Sequence, residues 1–391
     1  MGKRIVVVGA GIAGLATAAA LQRNGHRVTI VEERKDTSSG AGISIWPNAL
    51  AALDELGLGD AVRASGGQVS AGAMRWRDGS WLRHPSPDRM TRALGEPLVV
   101  IRRAVLMDLL ADALTDGTIE FGCPVIELVA TGSGVRITLA DGTAREADGV
   151  VGADGVGSVV ARHLNGALPR RYTGYTAWRG VADHSLDPNL SGETVGSGTE
   201  FGHVPLGPDH TYWFGTERSP EGRCAPEGEL NYLRSKYSGW ADPIPTLLAA
   251  TDPDDVLRND LYDRAGARQW ARGCVVLVGD AAHPMRPHLG QGGCQGLEDA
   301  AILAHYVGFN DDVGHEDDLP AAFARFADFR RPRLRSLIRE SRLLGEIVNV
   351  RPSFVGAAVM RASALVPEAL LTRHLASVAS RSAFALPQGG R

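Results

Sequence analysis

Ile5 to Val8 form an unbroken apolar run directly after Arg4. A short continuous run of this kind predicts a strand buried on both faces. The spacing turns helical from Leu15 to Asn24, and Gly25 is its stop signal. A second strand, Arg27 to Val31, finishes at Glu32. Further on, Leu98 to Ile101 reads as a strand, and Arg103 leads a helical pattern through Val105, Leu106, Leu109, Leu110, Ala113 and Leu114. Thr118 to Phe121 is another strand. Val125–Val129, Val135–Leu139 and Thr143–Ala147 alternate between turn glycines, as in a three-stranded meander. Asp148 to Ala153 resumes a buried strand. Val275 to Val278 is a late apolar run, and a helix start is expected from Gly293 to Ala300.

The pattern changes between Arg171 and Thr216. Tyr172, Tyr175, Trp178, Phe201, His203, Tyr212, Trp213 and Phe214 fall in alternating, glycine-punctuated segments, which predicts an antiparallel sheet. Ala71 to Arg83 reads as a hairpin of the same kind. Two units follow from this. One is discontinuous, over 1–70, 98–170 and 260–345; the other, a sheet unit, covers 71–97 and 171–259. Residues 346–391 form a C-terminal helical segment, with Pro352 and Pro367 breaking its helices. The basic run Arg330 to Arg335 is expected on a solvated helix face. Phe354 to Pro367 is the longest late apolar stretch; Arg361 interrupts it, and a packed helix is the expectation.

Composition narrows the field. A net charge of −4 argues against a nucleic-acid footprint. The four cysteines are widely spaced, with no CxxC pair or His/Cys cluster, so free thiols and no metal site are expected. No apolar stretch approaches the roughly 20 residues of a membrane span. No targeting signal precedes the first strand, and a cytoplasmic location is the expectation.

The chemistry lies in glycine-dense turns. Gly9-Ala10-Gly11-Ile12-Ala13-Gly14 joins the first strand to its helix, and Glu32 ends the next strand eighteen residues after Gly14. Gly9 permits the tight turn, Gly11 lets backbone approach a pyrophosphate, and Gly14 lets helix press on sheet. The helix N-terminus offers free N–H groups, and the acid suits a ribose. A second turn, Gly279 to Gly292, leaves a strand on Asp280, passes Pro284 and Pro287, and opens a helix.

Three motifs in this order, the first fingerprint with Glu32, Gly152-Ala153-Asp154-Gly155-Val156-Gly157-Ser158, and Gly279-Asp280 with His283-Pro284 and Gly290-Gln291-Gly292, resemble the FAD-dependent single-component aromatic hydroxylases. Gly42 to Ala49 and the Gly-Gln-Gly-Gly-Cys-Gln run from Gly290 look especially like the branch holding urate and salicylate-type hydroxylases and zeaxanthin epoxidase. The resemblance implies an α/β fold: a Rossmann-like FAD-binding domain of the p-hydroxybenzoate hydroxylase type, an inserted antiparallel β-sheet substrate domain, and C-terminal helices. It further implies an NAD(P)H-consuming monooxygenase that works through a flavin C4a-hydroperoxide on a small aromatic, N-heteroaromatic or polyketide-like substrate. A flavin dehydrogenase or NAD(P)H oxidase of the same fold is the alternative.

Carried over by position, Gly9, Gly11, Ala13, Gly14, Glu32 and Arg34 would hold the adenosine diphosphate, and Arg103 would reach the pyrophosphate. Gly279 and Asp280 would meet the ribitol, Pro287 the isoalloxazine face, and Gly290, Gly292 and Gly293 its pyrimidine edge. Asp154 either serves FAD and the nicotinamide donor or caps the following helix. His283 shapes its turn, and His288 faces the substrate side. Ala161 stands where the family usually has an arginine, and no second dinucleotide fingerprint appears, so NADH and NADPH stay equal. The partners expected are substrate, O₂ and NAD(P)H, in a monomer or homodimer. No catalytic side chain is assigned, because the flavin does the chemistry. Ser44, Trp178, Arg179, Phe201, His203 and Trp213 are the candidate pocket lining. Alternation places Phe201 and His203 on one face and sets Tyr212 and Trp213 on opposite faces.

Overall fold

In the computed structural model, residues 2–387 are described except 36–40, 71, 133, 309–317 and 349–352. Ala71 and Pro352 therefore lie outside the described residues. The apolar runs form a six-stranded sheet in the order Ala271–Arg272, Val275–Leu277, Gly149–Gly152, Arg4–Val8, Arg27–Glu32, Ile119–Phe121. All neighbours run parallel except the first pair. Parallel strands need crossovers; helices pack on the sheet face that carries Ile5, Val7 and Ile30, and the meander residues Val125, Leu128 and Ile137 share a core with Val6, Val8 and Val31 on the other. Helix Ile12–Arg23 is one of these, and it packs against helix Gly292–Val307 in the main core. The two glycine turns therefore arrive side by side. The meander is present as Val125–Ala130, Val135–Leu139 and Ala144–Ala147. A small antiparallel sheet adds Gly42–Ile45, Leu98–Arg102 and Gly67–Val69.

The second large sheet has seven strands: Leu257–Asp263, Arg171–Ala182, His210–Arg218, Thr199–Leu206, Gly192–Gly196, Met74–Trp76 and Trp81–Arg83. It is antiparallel except where Met74–Trp76 meets Gly192–Gly196. Its first strand continues to Asp263, past the expected boundary at 259. Helices Glu229–Tyr237 and Ile244–Ala249 cover one face, and Trp178, Phe201, Trp213, Leu233, Tyr237 and Leu247 form a core there. The opposite face, with Val181, Val204, Tyr212 and Phe214, packs into a core shared with the rest of the protein.

Two expectations for the C-terminal region are corrected. Arg330, expected in solvent, is 1% exposed and lies on the inward side of helix Leu319–Val348. The late apolar stretch does not pack closely, because Val355, Val359 and Leu365 are exposed.

Candidate flavin site

Each glycine of the first turn has a separate reason to lack a side chain. Gly9 holds φ at +102°, and a Cβ there would come within 2.6 Å of the Ala153 carbonyl oxygen. A Cβ on Gly14 would lie 1.9 Å from the Gly9 oxygen, so helix and turn touch directly. A Cβ on Gly11 would meet nothing within 4 Å. That position opens onto empty space. Gly11 is also the cap of helix Ile12–Arg23 and supplies no side-chain bond to its first N–H groups. A helix start left in this state suits an anion.

Glu32 braces the turn. Its carboxylate accepts from the backbone N–H of Ala10 at 2.7 Å and from that of Arg34 at 2.9 Å. A carboxylate offers about four lone-pair sites, so acceptor capacity is left for a ribose. Asp154 takes the capping role. It accepts from Ser158 Oγ at 2.5 Å and from the N–H groups of Val159 and Val160 at 2.7 and 3.2 Å. Burial pushes its carboxyl up against these bonds.

The second turn rests on a buried charge network. Asp299 accepts the Gly279 N–H at 2.8 Å and lies 2.5 Å from His283 Nε2. Arg330 donates to Asp299 at 2.7 Å and to Glu298 at 2.6 Å. Asn48 and Arg333 also donate to Glu298, at 2.6 and 3.0 Å. Burying Arg330 is tolerable because two carboxylates and a glutamine meet its guanidinium. Two lone charges there would be prohibitive, which is why a basic run read in isolation looks like a surface feature. His283 therefore anchors the turn by a side-chain contact, in line with the expected shaping role.

Asp280 stands apart from this network. Its carboxylate accepts no hydrogen bond among the described residues. Burial raises it, while His283, Arg103 and Arg264 pull the other way. Although deep in the molecule, it stays accessible through a cavity of about 380 Å³. The cavity joins the two turns: Gly9, Gly11, Ala13, Glu32, Arg34, Arg103, Asp154, Gly279, Asp280, Gly292 and Gly293 all line it. Gly14 lies behind it, and Pro287, His288 and Gly290 lie beyond its lining. Helix Gly292–Val307 begins at Gln291 without a side-chain cap, so a second free helix start faces the same region.

The Arg103 guanidinium has no hydrogen-bond partner among the described residues. Burial lowers its affinity for the proton, Asp280 opposes that effect, and Arg179 and Arg34 add to it. An unpaired, half-buried guanidinium at a cavity wall beside two other cations is built to receive an anion.

The sheet face is where the sequence reading needs most correction. Trp178, Phe201, His203 and Trp213 point to the helix-covered side. Trp178 Nε1 donates to Glu229 at 2.7 Å and Trp213 Nε1 to Thr251 at 2.9 Å. His203 pairs with Thr194 at 3.1 Å, and burial drops it to about 3. Alternation divides these strands correctly into two faces. It does not say which face meets the cofactor loop. Contacts decide that: His288 Nε2 lies 2.9 Å from the Tyr175 hydroxyl, and His288 Nδ1 lies 3.4 Å from Glu200. The face toward the loop therefore carries Tyr175, Arg179, Glu200, Tyr212 and Phe214. Of these, only Arg179 was among the expected lining residues. Ser44 lies on Gly42–Ile45, whose Gly42 abuts the Tyr212 ring.

Comparison with known proteins fits this geometry. Residues 3–308 match the family described as FAD binding domain. The chain is 37% identical over 349 residues to aurachin C monooxygenase/isomerase of Stigmatella aurantiaca, covering 88% of this chain and 90% of that protein. It is 33% identical over 365 residues to FAD-dependent urate hydroxylase of Mycolicibacterium vanbaalenii, covering 89% of each. The crystal structure of Klebsiella pneumoniae HpxO complexed with FAD and uric acid superposes with a TM-score of 0.86 at 27% identity, over 96% of both chains.

Proposed function

The chain belongs to the FAD-dependent aromatic hydroxylase family and is a flavoprotein monooxygenase, and from that premise we propose that it hydroxylates a small aromatic or N-heteroaromatic compound at the expense of NAD(P)H. Bound FAD would take electrons from the nicotinamide donor and activate O₂. The protein's part is to bind, orient and keep water out.

Gly11, the free start of helix Ile12–Arg23 and the Arg103 guanidinium suit the pyrophosphate. Glu32 suits the adenosine ribose and Asp280 the ribitol. The N–H groups at Gly292 and Gly293 suit the pyrimidine edge, where a helix start favours negative charge. Asp299 and His283 hold the second turn so that these groups are preset. The substrate would lie between Pro287 and the sheet face that carries Arg179 and Phe214.

One observation carries this reading. A single cavity is lined by both glycine turns, with an unpaired arginine on its wall and an unpaired aspartate open to it. The test is turnover under ¹⁸O₂ with a panel of aromatic compounds and NADH or NADPH. One labelled oxygen in the product is expected. Nicotinamide oxidation that yields only peroxide, with no label in any product, would mark an oxidase instead.

A further inference from the structure

Cross-strand pairing sets four residues in one row on the loop-facing side of the seven-stranded sheet. Arg179 pairs with Phe214, Phe214 with Gly202, and Gly202 with Glu193. Directly paired residues project to the same side. Arg179 is placed there by its influence on Tyr212 and on the like-charged Arg103, and its guanidinium donates one bond to Asn259 at 3.0 Å, which leaves its other N–H groups for a ligand. A Cβ on Gly202 would come within 2.1 Å of the Phe214 ring, so that ring occupies the space above the glycine. The row therefore runs from a cation, over an aromatic platform, to a carboxyl. Three strand spacings, about 14 Å, separate the backbones of Arg179 and Glu193.

Glu193 is the unusual member. Its carboxyl makes no hydrogen bond among the described residues, although protein closes around it. Glu193 nevertheless keeps some accessible surface. Glu200, its diagonal neighbour on the next strand, is held by Thr216 at 3.0 Å. Glu200 also faces His288 Nδ1, which is without a hydrogen-bond partner on a side chain only 3% exposed. A carboxyl and an imidazole nitrogen, each without a hydrogen bond, are thus both neighbours of Glu200. Glu298 and Asp299, by contrast, are each met by Arg330.

We infer that this row recognises the substrate, and that the substrate is a planar nitrogen heterocycle with an acceptor oxygen at one end and a ring N–H at the other. The oxygen meets Arg179, the ring lies on Phe214, and the nitrogen meets Glu193. A purely apolar wall would not distinguish such a ring from its all-carbon counterpart, whereas a shielded carboxyl loses its only partner when the nitrogen is missing. Burial and neighbouring Glu200 push the Glu193 carboxyl up to about 8. Near neutrality it can donate or accept, which suits a ring whose tautomers carry either N–H or a bare nitrogen. The inference rests on the aromatic-hydroxylase reading of this site.

The test compares 4-hydroxyquinoline, whose oxo tautomer carries the N–H, with 1-naphthol, which has the same shape and oxygen position without the nitrogen. Binding to FAD-loaded protein is read from the perturbed flavin absorbance, with no turnover required. The quinoline is expected to bind the wild type about tenfold tighter or more. Glu193→Leu should erase that preference while leaving naphthol affinity and flavin content in place. Glu193→Gln should restore part of it, because an amide oxygen still accepts. Equal affinities in the wild type, no binding of the quinoline, or a preference that survives Glu193→Leu would overturn the inference. Oxygen transfer in the ¹⁸O₂ experiment is read separately. Binding discrimination without labelled product would strike the proposed activity and spare the row.

Discussion

A methyl group on Gly11 would project into open cavity, whereas one on Gly14 would collide with the Gly9 carbonyl. The two positions look alike in the sequence and should separate in experiment. Gly11→Val should fold with little change in thermal midpoint and lose FAD, because its side chain fills space meant for ligand. Gly14→Val should lower the midpoint whether or not FAD is added. Parallel melting curves with and without FAD check both. Arg103→Met removes the unpaired cation, and the expected loss is about 10- to 100-fold in FAD affinity, the value of one charge-assisted contact. Fluorescence recovery of released FAD measures it. At this scale the turn glycines are legible because each answers a backbone requirement, such as a positive φ, a close approach or a free helix start. Asp154 was legible only as two alternatives. Its bonds to Ser158, Val159 and Val160 depend on the helix that follows.

Between elements, the Asp299, His283 and Arg330 network joins helix Leu319–Val348 to the second turn. Asp299→Ala leaves Arg330 and His283 buried without their shared acceptor, and a loss of about 3–5 kcal/mol is expected. Chemical denaturation of the two proteins decides it, and a loss under about 1 kcal/mol would show that the network is dispensable. Trp213→Ala should cost a similar 3–5 kcal/mol through the cavity left among Phe201, Tyr237 and Leu247, with no direct effect on substrate binding. The strands and their alternation were legible in the sequence. The facing of the sheet was not, because period-two patterning is symmetrical when both sides are buried. Trp178, Phe201 and Trp213 serve the helix-covered core for that reason. The burial of Arg330 is not legible for a related reason: the carboxylates that justify it lie 31 and 32 residues away.

For the molecule as a whole, burial of Glu193 couples stability to pH. The folded chain keeps its proton up to about 8, whereas the ordinary value is 4.5. Between those limits the folded state holds a proton that the unfolded chain has released. This contribution is complete below 4.5 and is lost as pH rises toward 8. Glu193→Gln should flatten the decline, as denaturation at pH 5.5 and 7.5 would show. A variant with the same slope as wild type would place Glu193 among ordinary surface carboxylates. The two-sheet architecture follows from local patterns, but the cavity itself does not. It exists because helices Ile12–Arg23 and Gly292–Val307 pack together and bring turns some 270 residues apart against each other.

The central claim is that both turns grip one elongated flavin. A crystal structure of the protein with FAD tests it directly. The account predicts the pyrophosphate at Gly11 and Arg103, the ribitol at Asp280, and the tricyclic ring between Pro287 and the sheet face that bears Phe214. A flavin bound elsewhere, or a groove beside Asp280 too narrow for the ring, would contradict it.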